Sequence, residues 1–150
     1  MDADRIEKQI VVKAQRTKVW LALADASQFG EWFGVKVDGD FAPGARVWAF
    51  SPPPDRGEGL FEIQVEEMLP EQRFGWRWRA GPPARVAEEW TQVLFELRDG
   101  AEGTLLSVAE SGFEALSAEK RGIAYNSNEQ GWTVQLAAVA RYLEKPGEGT

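Results

Sequence analysis

The chain contains no cysteine and no histidine. The first absence excludes disulfides and thiolate nucleophiles. The second removes the commonest general base at neutral pH together with the commonest metal ligand, so zinc and iron sites lose their usual donors. No run approaches the roughly 18 consecutive apolar residues of a membrane-spanning helix. Met1 to Arg16 alternates charged and apolar residues and lacks the uninterrupted apolar centre of a secretion signal. The expectation is a cytoplasmic protein without membrane insertion. A glycine-rich phosphate loop, a nucleophile elbow and a kinase signature are missing too. Neither metal nor cofactor is therefore expected, no catalytic residue is assigned, and any catalysis must rest on carboxylates, tyrosine or lysine.

Positive charge is also scarce. Seventeen Lys and Arg stand against 24 Asp and Glu, a formal net charge of -7. Such a surface repels phosphate backbones and anionic lipid unless a local basic stripe overcomes it. Arg73, Arg77, Arg79 and Arg85 form the one basic cluster, and it reads as a sparse, solvated strand face. Nucleic acid is not an expected partner.

Aromatic rings are what the chain has in excess: seven Trp and eight Phe in 150 residues. Hydrophobic residues at 43% and charged residues at 27% are otherwise ordinary for a globular protein. A chain of this length buries roughly 70% of its unfolded surface without staples. The reading is one domain over 1–150, with an ordered core from about residue 6 to 143 and a frayed tail rich in Gly and Pro over 144–150.

Ile6, Ile10 and Val12 alternate with polar residues as on a half-buried strand. The period then lengthens: Val19, Trp20, Leu23 and Ala24 predict a short helix, and Phe29, Trp32 and Phe33 a second one before Gly34. Turn signals at Asp38-Gly39-Asp40 and Pro43-Gly44 bound short strands, and Pro52 to Gly57 must be a loop. Phe61, Ile63 and Val65 alternate with Glu62, Gln64 and Glu66. After Pro70, Phe74, Trp76 and Trp78 alternate with Gly75, Arg77 and Arg79, up to Gly81-Pro82-Pro83. Val93, Phe95 and Leu97 share one face, Asp99-Gly100 is read as the reversal, and Leu106 and Val108 continue the inward side. Ile123, Trp132, Leu136, Val139 and Leu143 have helical spacing over about Ser117 to Leu143, a helix of about 40 Å. Gly122, Asn126 and Ser127 leave open a start or restart within it.

A strand, two short helices, six strands and a long helix make an α+β chain in the helix-grip order. In this arrangement a curved antiparallel sheet of six or seven strands wraps a C-terminal helix. Val19-Trp20, Trp32-Phe33, Pro43-Gly44, Gly59, Pro70 to Trp78, Phe95-Glu96-Leu97, Gly103-Thr104-Leu105, Ser111-Gly112-Phe113 and Gly131-Trp132 carry a further likeness. In order and spacing the chain resembles the homologues of the activator of heat-shock-protein-90 ATPase, within the START-like (SRPBCC) superfamily. Gln15-Arg16 stands where that family commonly has proline before its first helix. The resemblance implies a single START-like domain. Relatives include co-chaperones, carriers of lipids and hormones, and cyclases, so it implies no one activity.

Trp76 and Trp78, with Phe61, Trp90 and Phe95 in the meander, can line the concave side opposite Trp132, with Trp32 beside them. These rings make either the wall of a cavity or a solid core. Tyr125, Asn128 and Glu129 fall near the N-terminal half of the long helix, as head-group contacts or as solvent-facing and capping residues. Glu66-Glu67 and Glu88-Glu89 are adjacent pairs, and neighbours on a strand point to opposite faces, so each offers at most one inward carboxylate. Glu67, Glu89 and Glu110 are the inward candidates, each weighed against a strand-end carboxylate that reaches water. The leading expectation is binding of a hydrophobic or aromatic small molecule between sheet and helix, without chemical change. A co-chaperone acting on a chaperone ATPase, and a cyclase or hydrolase using one inward carboxylate with Tyr125, are the alternatives.

Overall fold

A computed structural model describes residues 5–50, 61–80, 90–116 and 118–144. The predicted loop at Pro52 to Gly57, Gly59, Gly81-Pro82-Pro83, Arg85, the Glu88-Glu89 pair and residues 145–150 of the predicted tail lie outside them. Strand β1 (Arg5–Val12) leads into helices α1 (Arg16–Ala24) and α2 (Ala26–Phe33). Six strands follow: β2 (Lys36–Asp38), β3 (Arg46–Phe50), β4 (Phe61–Leu69), β5 (Arg73–Ala80), β6 (Thr91–Gly100) and β7 (Gly103–Ser111). A 3-10 turn at Phe113–Ala115 precedes the long helix α3 (Ala118–Leu143). The seven strands form one antiparallel sheet in the order β1-β7-β6-β5-β4-β3-β2. This is the expected helix-grip architecture.

Local chemistry sets the boundaries. Helix α1 starts at Arg16, with the amides of Lys18 and Val19 bonded to the carbonyl of Gln15. The Asp25 carboxylate accepts from the Ser27 N–H at 2.9 Å and caps α2. Gly34, at φ +90°, ends α2 in the left-handed conformation that side chains disfavour. A Cβ on Gly30 would stand 2.5 Å from the Val35 carbonyl oxygen, so only glycine lets the chain double back there. Helix α3 is continuous through Gly122, Asn126 and Ser127, and its 26 residues span about 39 Å. The Arg121 guanidinium donates to the carbonyls of Phe113, Glu114 and Leu116, tying its first turns to the 3-10 turn. Among the described residues no helix is long and apolar enough to cross a membrane.

Two readings of the strands are corrected. The β6–β7 reversal lies at Ala101-Glu102, since Asp99 pairs with Thr104 and Gly100 with Gly103 inside the ladder. Glycine at both closing positions lets the strands stay paired two residues beyond the Asp-Gly signal. In β4, a bulge separates the Val65–Trp76 pair from the Glu67–Gly75 pair. The extra residue breaks the period of two, and both Glu66 and Glu67 reach the outer face. Glu66 approaches Arg77 at 4.0 Å and accepts from Gln92, while Glu67 pairs with Arg73 at 3.4 Å.

The inner face of the sheet carries the core. Phe74, Trp76, Val93, Phe95, Leu106 and Val108 are buried against Val19, Leu23 and Phe29 of the short helices and Trp132, Leu136 and Val139 of α3. The Gln135 amide donates to the Phe33 carbonyl and the Tyr142 hydroxyl to Glu31, fastening α2 beneath α3.

Candidate functional site

Trp78 on β5, Thr91 on β6 and Glu110 on β7 all project from the inner face near one end of the sheet. Glu110 shares its side of β7 with Leu106 and Val108, as the period of two requires. It is 0% exposed, so the strand-end reading that puts this carboxylate in water is overturned.

Donors surround it. Oε2 accepts the Thr91 hydroxyl at 2.6 Å and the Trp78 indole N–H at 2.9 Å. Oε1 accepts the Trp132 indole N–H at 2.8 Å. The Asn128 amide reaches both oxygens at 3.1 Å. Trp78 also approaches the Thr91 hydroxyl at 3.0 Å. Indole N–H groups can only donate, and Glu110 is the acceptor in each of its own bonds, the pattern of a carboxylate rather than of a donating acid. Burying a carboxylate is costly unless its lone pairs are engaged, and these bonds engage them. Three strands and α3 are thereby tied at one point.

Aromatic rings pack around this carboxylate in two zones. In the deep zone Trp76 is 0% exposed and meets Phe29, Phe74 and Phe95 edge-on at 5.2–5.5 Å. These rings belong to the buried core. In the shallow zone Phe33, Phe61 and Trp78 are half-buried. Trp78 stacks on Trp132 at 5.8 Å and 26°, Phe61 meets Trp78 at 5.2 Å, and Phe33 lies 6.2 Å from each of Phe61, Trp78 and Trp132. Strand β3 ends, β4 begins, β5 ends and β6 begins at this end of the sheet.

Of the residues singled out from sequence, Phe61, Trp76, Trp78, Phe95, Asn128 and Trp132 come together here. Trp32 is buried behind Phe33, its N–H held by the Ala22 carbonyl at 2.7 Å. Trp90 sits on the outer face, 4.6 Å beneath the Arg77 guanidinium, because it shares the parity of Gln92 rather than of Thr91. The Tyr125 hydroxyl donates to the Arg5 carbonyl at 3.1 Å and its ring packs on Phe113, so no bond joins it to Glu110. Glu129 pairs with Lys8 of β1 at 2.8 Å. Asn128 therefore serves the carboxylate, and neither it nor Glu129 is simply a solvent-facing or capping group. Sequence reasoning left Phe33 and Thr91 out of the site. The four-residue spacing from Phe29 and the shared parity with Val93 were the available signals.

Surface depressions of about 350, 420 and 550 Å³ that described residues form lie elsewhere, and their linings are largely polar and charged. Among the described residues no cluster of acidic side chains could hold a metal ion.

Solved structures share this architecture. DynU16, a protein in the dynemicin biosynthetic locus, is 28% identical with a TM-score of 0.73 over 95% of this chain, which spans 48% of the DynU16 chain. Protein MLL2253 from Mesorhizobium loti is 20% identical with a TM-score of 0.78, covering 96% of this chain and 99% of its own. The Aha1 dimer from Colwellia psychrerythraea gives 18% identity and a TM-score of 0.75, covering 96% and 98%. At such identities the last two speak to the fold alone. No curated protein matches the sequence. The model of one family, described as Activator of Hsp90 ATPase homolog 1-like protein, matches residues 13–144, from the end of β1 to the end of α3, and the chain belongs to that family.

Proposed function

We propose that this protein binds a small apolar or aromatic molecule at the shallow end of the sheet–helix interface, without transforming it. The observation that carries this reading is the group of half-buried rings, with Phe33 and Phe61 packed on Trp78 and Trp78 stacked on Trp132, backed by the bonded carboxylate. Binding sites of this kind combine apolar walls with a few polar groups held in place. Trp78 is fixed at its N–H end by Glu110 and stacked on the buried Trp132, so its half-exposed ring is pre-organised to receive a flat or aliphatic ligand at little entropic cost.

Catalysis fits the geometry less well. A general base needs a lone pair aimed at the substrate, and both oxygens of Glu110 already accept from fixed donors. Tyr125, its partner in the enzymatic alternative, is engaged with Arg5 instead. The chaperone-directed reading rests on the family's description alone, whereas ligand binding has an arrangement of side chains behind it.

An uncharged apolar dye, N-phenyl-1-naphthylamine, tests the reading by fluorescence titration. Saturable enhancement is expected, and Ala124→Phe should abolish it. Ala124 lies one turn before Asn128 on the same face of α3, so the added ring fills the shallow end. A dye that fails to saturate, or that binds the variant equally well, overturns the proposal.

A further inference from the structure

Glu110 is a buried anion for which the described residues supply no cation. Its partners, Trp78, Thr91, Asn128 and Trp132, are all neutral. Among the described residues the charge is solvated by dipoles alone. From this we infer that the ligand of the shallow site carries a positive charge, as an amine or quaternary ammonium on an apolar or aromatic body. The inference rests on the ligand-binding reading above and narrows it to a chemical class.

Three features converge. First, a unit negative charge in a medium of low dielectric attracts a cation several ångströms away far more strongly than it would in water. Desolvating the cation is offset at a site where a buried anion has no cationic partner among the described residues. Second, the rings between Glu110 and the shallow end are those that attract cations best. A cation within about 6 Å of a tryptophan face gains about 0.5 to 2 kcal/mol. Two indoles stack here, with Phe33 and Phe61 beside them. Both indoles donate their N–H to the same carboxylate, whose negative charge pushes electron density away from the donor nitrogen into each ring and makes its faces richer in electrons. Third, the formal net charge of -7 favours approach by cations and opposes approach by anions.

The carboxylate need not bond the ligand. Its lone pairs belong to the protein, and its charge acts through the rings, which selects for charge without demanding an N–H donor. A quaternary ammonium, which has none, is therefore the informative probe.

The test compares (2-naphthylmethyl)trimethylammonium with its uncharged isostere 2-neopentylnaphthalene and with 2-naphthalenesulfonate, titrated by tryptophan quenching at low salt. The cation is expected to bind about tenfold more tightly than the isostere, and the sulfonate more weakly than either. Glu110→Gln should bring cation and isostere to within about threefold by weakening the cation alone. Should that variant not fold, the comparison on the unaltered protein decides by itself. Equal or tighter binding of the isostere overturns the charge preference and leaves the apolar site standing. Failure of both cation and isostere to bind overturns the site itself.

Discussion

From Trp132 to Ala140, α3 buries Trp132, Leu136, Val139 and Ala140, whereas from Ala118 to Gly131 none of its described side chains is buried. One helix thus makes two kinds of contact. Its second half is a core element whose apolar positions recur at three and four residues. Its first half meets the sheet through half-buried and polar groups: Ala124, Tyr125 and Asn128. Glu110 marks the boundary, reached by Asn128 from one side and Trp132 from the other. The difference teaches that a grip of this kind is closed at one end by packing and held at the other by hydrogen bonds, and the ligand site we propose lies at the second end.

Substitutions should separate the two ends by size of effect, read from urea unfolding curves. Trp76→Ala, at the closed end, is expected to cost about 3 to 5 kcal/mol because the rings around it cannot collapse into the space. A loss below about 1 kcal/mol would mean that end is not close-packed. Glu110→Gln should cost about 1 to 3 kcal/mol, since the new amide sets a donor against indole and hydroxyl donors. In a double-mutant cycle with Trp132→Phe the two changes should couple, and strict additivity would dissolve the bonded centre. Phe61→Ala, at the open end, should cost only about 1 to 2 kcal/mol while weakening dye binding markedly, the reverse of the balance at Trp76.

Tyr142 tests the closed half by pH. Burial, together with the hydrogen bond and negative charge of Glu31, pushes its phenol up to about 12 from 10.0. The folded state therefore holds this proton more tightly than the unfolded chain does. The resulting stabilisation is complete below pH 10 and is lost as the pH rises through about 12. Tyr142→Phe should remove that part of the alkaline decline, and an unchanged slope would refute the assignment. The smallest effect is expected at Ile123, 73% exposed on the open half: Ile123→Ser should change stability by no more than about 0.5 kcal/mol.

Periodicity revealed the fold because most of its strands bury one face and show the other, so Phe74, Trp76 and Trp78, or Val93 and Phe95, announce their side directly. It failed where backbone geometry departs from the period. The bulge in β4 leaves no mark in composition, and the Gly100–Gly103 pair closes a hairpin that Asp99-Gly100 alone would place earlier. The rings of the site were legible as inward-facing. Their division into sealed and half-buried sets was not, because it depends on how far α3 lies from the sheet along its length. Glu110 shares the parity of Leu106 and Val108, so its inward direction was written in the chain. What no pattern carried was the convergence of donors from β5, β6 and α3 that makes such a position tolerable.

The stacking of Trp78 on Trp132 also gives the molecule a built-in optical gauge. Trp78 lies 5.7 Å from Trp76 as well as 5.8 Å from Trp132. Indoles this close couple their excited states, so circular dichroism should contain a coupled band that vanishes when Trp78 becomes phenylalanine and weakens when Trp132 does. Any molecule that slides between or over them will alter that band. Occupancy can then be followed spectroscopically on the unlabelled protein, with Trp90, on the far side of the sheet, as an internal bystander.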